Sequence, residues 1–174
     1  MLTEIIMNKA VFITAPEVFR DEEYYKPKKV LEEAYTEVIT ASVKTGKLRG
    51  RFGFKTTSTL LIQDINPNDF DAIVYIGGNG SIVFFDNHYA LKLANDFFKQ
   101  RKPTASICIA GVILANAGIL KGTKATVFID GKEALIKGGA VYTGNPLEID
   151  GNIITANGPD AAEDFGKAVL KSLE

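Results

Sequence analysis

Phe70-Asp71-Ala72-Ile73-Val74-Tyr75-Ile76-Gly77-Gly78 is the most informative stretch of the 174-residue chain. Five apolar side chains run without interruption from Ala72 to Ile76 and stop at a glycine pair. An apolar run this short, rich in β-branched and aromatic residues and bounded by turn residues, reads as a strand buried on both faces. Strands of that kind belong to parallel sheets, and parallel strands need crossover connections, usually helical.

The flanking sequence has those connections. Residues 9–14 form a first apolar strand, followed by a loop at Ala15-Pro16-Glu17-Val18. Residues 22–35 place Val30, Leu31, Ala34 and Tyr35 on one helical face, with Glu22-Glu23 and Lys28-Lys29 as a solvated face. A strand is expected at 37–43, an irregular Gly-rich and basic segment at 44–56, and a short strand at 59–62. Downstream come a helix at 87–100, a strand at 104–107 and an all-round apolar helix at 109–117 that ends at Gly118. A strand at 124–129, a short helix at 131–138 and a helix at 160–173 behind Pro159 complete the pattern. Asp150-Gly151 between two short apolar runs predicts a late β-hairpin. The alternation implies βαβ units: an α/β fold with a mostly parallel sheet and helices on both faces.

Composition narrows the function classes. One domain over 1–174 is expected, with residues 1–8 as a flexible tail and Met7 as an alternative start. With 46% hydrophobic residues the chain can bury a core without disulfides or metals. One cysteine, Cys108, and one histidine, His88, leave no basis for an internal disulfide or a Cys-rich zinc site, so no metal and no cofactor is expected. Twenty basic against 21 acidic side chains argue against a strongly basic nucleic-acid surface. No run of about 18 apolar residues spans a membrane and no signal peptide opens the chain, so a cytoplasmic location is expected.

In an open parallel sheet, ligands bind beyond the carboxyl ends of the strands. Three features fall there: Glu17 after the first strand, Gly77-Gly78 after the 72–76 strand, and Cys108 after the 104–107 strand. Cys108 stands between strand and helix among small neighbours, Ala105, Ser106, Ala110 and Gly111, as a nucleophile elbow requires. The competing reading is a structural core cysteine. The Gly77-Gly78 backbone could approach a substrate oxyanion or simply end a strand. Glu17 could shuttle a proton beside the thiol or be a solvated loop carboxylate. His88 reads first as a surface residue at a helix start, capped by Asp86-Asn87. Arg49, Arg51 and Lys55 could serve an anionic ligand, with a solvated basic loop as the simpler reading.

These segments, together with Pro103–Cys108, Ala117–Gly122 and Asp150–Pro159, resemble the ThiJ/PfpI superfamily in order and spacing. The resemblance runs over residues 9–172. It implies a flavodoxin-like three-layer sandwich. It identifies Cys108 with the family's reactive cysteine and Glu17 with the acid that hydrogen-bonds it. Gly78 and Ile109 match the positions whose N–H groups face an oxyanion, with Gly77 beside them. It also implies a homodimer. Ile109 stands where peptidase-like members carry histidine, and Thr126-Val127-Phe128-Ile129 where the parkinsonism-protein branch has another. A Cys-His peptidase therefore lacks a base unless His88 reaches the pocket, and Phe128 makes that pocket more apolar.

Three functional readings follow. The first is a cofactor-free cysteine enzyme acting on small carbonyl electrophiles, glyoxalase- or deglycase-like or a hydrolase, with Cys108 as nucleophile and Glu17 as proton shuttle. The second is a non-catalytic oxidative-stress sensor or chaperone-like protein built on Cys108 oxidation. The third is a degenerate pocket that has lost the family's histidine.

Overall fold

The computed structural model describes residues 7–174. Most of the tail expected at 1–8 lies outside the described residues. In chain order the strands and helices are β1 Lys9–Ile13, β2 Glu17–Phe19, α1 Asp21–Glu33, β3 Glu37–Ser42, β4 Gly46–Gly50, β5 Lys55–Ser58 and β6 Leu60–Leu61. They continue with β7 Ala72–Tyr75, α2 His88–Lys99, β8 Thr104–Ile107, α3 Gly111–Asn116, β9 Lys124–Ala125 and α4 Lys132–Lys137. The last are β10 Val141–Tyr142, β11 Leu147–Asp150, β12 Ile153–Ala156 and α5 Ala162–Ser172.

Seven strands form the central sheet in the order β11-β12-β8-β7-β1-β3-β6. Every neighbouring pair is parallel except β11–β12, the hairpin signalled by Asp150-Gly151. The chain leaves β1 toward β3 on one side and runs β7 to β8 on the other. Right-handed crossovers in opposite directions put α1 and α2 on opposite faces. α5 packs against α1, while α3 packs against α2 and α4. The β7 stretch behaves as its sequence demands: Ala72, Ile73, Val74, Tyr75 and Ile76 are all fully buried. The reversal of strand order between β1 and β7 opens a crevice at their carboxyl ends.

Three local expectations need correction. The 44–56 segment is not irregular: β4 and β5 form an antiparallel hairpin, with β2 parallel to β4, as a separate three-stranded sheet. The strand expected over 124–129 is only two residues long and pairs with β10. Of the face expected for α1, Leu31 is buried but Val30, Ala34 and Tyr35 are not; the helix buries Asp21, Glu23, Tyr24, Pro27 and Leu31. The helix ends at Glu33, and Tyr35 follows with φ 62° and 78% exposure. Glu22-Glu23 is therefore not a solvated pair, because Glu23 is fully buried.

Candidate active site

At the end of β8 the backbone turns at Cys108, which has φ 59°. A non-glycine residue in the left-handed region costs on the order of 1 kcal/mol or more and persists only where its surroundings hold it. Here a single 3₁₀ turn, Cys108–Ala110, joins the strand directly to α3, and the Phe128 N–H donates to the Cys108 carbonyl at 3.3 Å. The small neighbours have a visible purpose. A Cβ at Gly111 would lie 2.9 Å from Val127 Cγ2, so a larger residue there would push the start of α3 away from the Val127 side chain.

The carboxyl group beside Cys108 belongs to Glu23, in the first turn of α1. That turn is anchored by Tyr24, whose ring packs on Phe12 and Phe19 and whose hydroxyl meets Thr40 Oγ1 at 2.6 Å and Thr56 Oγ1 at 2.7 Å. With Tyr24 pinned, the preceding side chain points into the crevice. Gly77 makes room for it: a Cβ there would collide with Glu23 Oε2, the Ile107 carbonyl and Cys108 Cβ. The Gly77 carbonyl also accepts from Arg20 N at 3.0 Å, tying the start of α1 to the end of β7. Gly78 has φ 97°, and a Cβ on it would run into the backbone of residues 18–20. The glycine pair thus lets two chain segments cross over the thiol.

Neither carboxyl oxygen of Glu23 has a partner of good hydrogen-bond geometry. The groups that bear on it are the Cys108 thiol, the Arg20 and Glu22 charges and the Gly77 N–H. Burial pushes its pKa from 4.5 up to about 8, so at neutral pH it carries its proton. Burial, and then the Glu23 carboxylate, push the Cys108 thiol up to about 12, against the Ile109 and Gly78 N–H groups, which favour the thiolate. The two groups lie in contact and titrate as a pair.

Above them opens a cavity of about 130 Å³. Gly78 and Ile109 line it beside the sulfur, Phe128 and Pro159 form an apolar wall, and Arg20, Arg51, Asn79 and Asp130 complete the lining. Arg20 Nε donates to Glu22 Oε2 at 2.7 Å, a half-buried pair that raises the arginine pKa and lowers the glutamate's. No helix of the described residues is long and apolar enough to cross a membrane. Among them, no cluster of three His, Cys, Asp or Glu side chains could hold a metal.

Of the sequence-predicted residues, the fold brings Cys108, Gly77, Gly78, Ile109 and Phe128 together. It does not bring Glu17 or His88. Glu17 lies in β2 opposite Arg49, exposed, and contributes its backbone: its carbonyl sits where a Cβ of Gly80 would fall. The chain kinks after it at Val18, φ 57°, and Glu17 does not line the cavity. His88 is the exposed first residue of α2, with its ring 5.5 Å from that of Tyr89, and it does not line the cavity. The residues missed were Glu23, Arg20, Asn79, Asp130 and Pro159; of the basic loop weighed as an anion site, Arg51 lines the cavity and Arg49 and Lys55 do not. Glu23 carried a readable signal: with Pro27 and Leu31 it forms an i, i+4, i+8 line, which puts a carboxylate on the buried helix face.

Comparison with known proteins identifies the family. The chain is 41% identical over 169 residues to an uncharacterized protein of Methanocaldococcus jannaschii, MJ0967, covering 95% of this chain and 82% of that protein. It is 34% identical over 151 residues to a Pyrococcus furiosus protein named Deglycase PfpI, covering 87% and 90% of the two chains. The solved ThiJ/PfpI domain protein from Brachyspira murdochii superposes with a TM-score of 0.94 at 33% identity, over 96% of each chain. The sequence profile of the DJ-1/PfpI family matches residues 8–172. With a strained cysteine at the strand end, a buried carboxyl beside it and a fold shared over nearly its whole length, the chain belongs to the DJ-1/PfpI family.

Proposed function

We propose that the protein is a cofactor-free enzyme that uses Cys108 to attack small carbonyl electrophiles, 2-oxoaldehydes or their adducts, with Glu23 carrying the proton. The observation that supports it most directly is a buried carboxyl, protonated at neutral pH, in contact with a thiol held in a left-handed elbow. The name of the Pyrococcus relative, a deglycase, points to the same chemistry. The absent histidine is no obstacle, because the reading needs only one acid-base group.

The Glu23–Cys108 pair holds two protons at neutral pH and releases one as pH passes about 8. In the one-proton form the thiol proton passes to the Glu23 carboxylate as sulfur bonds to the carbonyl carbon. The C=O π electrons move to oxygen, where the Gly78 and Ile109 N–H groups offer stabilisation. Glu23 then delivers its proton to that oxygen, giving a hemithioacetal. With methylglyoxal, the freed carboxylate removes the former aldehyde C–H proton and returns it to the neighbouring carbon, while the hydroxyl proton passes from the first oxygen to the former ketone oxygen, leaving a lactoyl thioester. Water hydrolyses the thioester to lactate and regenerates the thiol. The net reaction adds one water and needs no redox partner.

The test is turnover of methylglyoxal by wild type, Cys108→Ser and Glu23→Gln, with each variant's folding checked by circular dichroism. The expected result is loss of at least about 10²-fold in both variants, and a wild-type rate that rises with pH through about 8. Equal rates in wild type and Cys108→Ser would overturn the proposal.

A further inference from the structure

Two guanidinium groups reach the same cavity from segments far apart in sequence. Arg20 precedes the first turn of α1, and Arg51 lies in the turn between β4 and β5. The fold holds the second arginine over the site with specific bonds. The Asp21 carboxylate is buried and accepts from the Phe52 N–H at 3.0 Å and the Phe54 N–H at 2.9 Å. Arg51 N donates to the Phe19 carbonyl at 2.9 Å. Gly50 allows the approach, since a Cβ there would collide with the Asp21 carboxylate. The Phe52 ring lies near both cations, 5.0 Å from Arg20 Cζ and 5.6 Å from Arg51 Cζ.

Charge is distributed unevenly around this mouth. Glu22 takes up Arg20 Nε and, among the described residues, leaves that guanidinium's terminal nitrogens without a side-chain partner. Arg51 makes no ion pair among the described residues. Glu23 is neutral below about pH 8 and so adds no negative charge at the floor. Asp130, exposed in the turn before α4, is the remaining carboxylate of the lining. The lining holds two arginines against one exposed aspartate; Glu22, outside it, offsets part of the Arg20 charge, so Arg51 supplies the free cation, and a planar fork of donors suits a carboxylate.

We infer that Arg20 and Arg51 make the site prefer, among carbonyl electrophiles, one whose reacting carbon itself bears a carboxylate, as in glyoxylate, over an uncharged one of the same size. The inference rests on Cys108 being the nucleophile, and goes beyond it by naming the substrate's charge. The 44–56 hairpin then has a function in the site: it delivers the second cation.

The single cysteine allows a test that does not depend on turnover. Iodoacetate and iodoacetamide are close in shape, and both alkylate a thiolate: sulfur bonds to the CH₂ carbon, iodide leaves, and the thiol proton goes to water. Only iodoacetate carries a carboxylate on that carbon. The readout is the ratio of the two alkylation rate constants at Cys108, measured by intact mass at pH 7. We expect that ratio to be about tenfold higher in wild type than in Arg51→Gln. Arg51→Lys should keep most of the preference, and added salt should reduce it in wild type. Ratios equal within about twofold in wild type and Arg51→Gln would overturn the anionic-substrate inference and leave the nucleophile intact. Failure of both reagents to label the folded protein would overturn the nucleophile reading and this inference with it.

Discussion

The strand end at 104–111 and the crossing segment at 15–23 meet at one sulfur atom, but they are built differently. The first is local. A buried strand, one cysteine and four small neighbours suffice to make an elbow, because strand, turn and helix follow each other directly. The second is assembled. The chain leaves β1, forms a short strand against β4, kinks at Val18 and only then starts a helix whose third residue is the pocket carboxyl. Two glutamates compete for the same role there. Glu17, nearer the strand end, faces solvent, and Glu23, one turn into the helix, is buried. Proximity to a strand end is thus a sound guide for a residue on the elbow and a poor one for a residue delivered by a second element.

The largest effect expected from disturbing this junction is at Gly77, where both regions touch. Gly77→Ala should destabilise the fold by several kcal/mol, since its Cβ has to displace the Glu23 carboxyl or the backbone carbonyl of Ile107. Urea unfolding at pH 7 measures it. A loss under about 1 kcal/mol would mean that the two segments are less tightly packed than described.

Glu23→Gln separates the two glutamates by pH. A carboxyl whose folded pKa is raised from 4.5 to about 8 contributes fully below 4.5. Its contribution then falls as pH rises, because the unfolded chain ionises first, and levels off above about 8. Wild type should therefore lose on the order of a few kcal/mol across that window relative to Glu23→Gln. The Cys108 thiol, raised from 9.0 to about 12, adds a loss of the same sign only above pH 9. Parallel stability curves from pH 4.5 to 8 for the two proteins would show that Glu23 is not held neutral.

A smaller effect probes the elbow alone. At φ 59° glycine is unstrained and alanine is not, so Cys108→Gly should be more stable than Cys108→Ala by about 1 kcal/mol, the reverse of the usual order. Thermal denaturation of the two variants checks it. The smallest effect belongs to the other glutamate. Glu17→Gln should change stability by less than about 0.5 kcal/mol and leave the pH profile of Cys108 alkylation in place.

Much of the architecture was legible in the residues. The unbroken run from Ala72 to Ile76, the small residues about Cys108 and the Asp150-Gly151 hairpin each specify local structure through side chains within a few positions. The parallel sheet follows from them, since doubly buried strands need helical crossovers. What escaped was the 44–56 hairpin. Its strands alternate threonine, lysine and arginine with few apolar residues, so no periodic signal separates it from a loop.

The amino-acid sequence alone placed Cys108 between a strand and a helix at a sheet's carboxyl edge, because strand, turn and helix signals are short-range and Cys108 lies inside them. Folding in three dimensions chose Glu23 over Glu17 and placed Arg51 above the thiol. Those choices depend on Tyr24 locking one turn of α1 and on Asp21 binding the Phe52 and Phe54 N–H groups across 31 and 33 residues of chain. Such contacts have no period or spacing in the sequence; they arise when separate segments pack over a glycine pair that leaves them room.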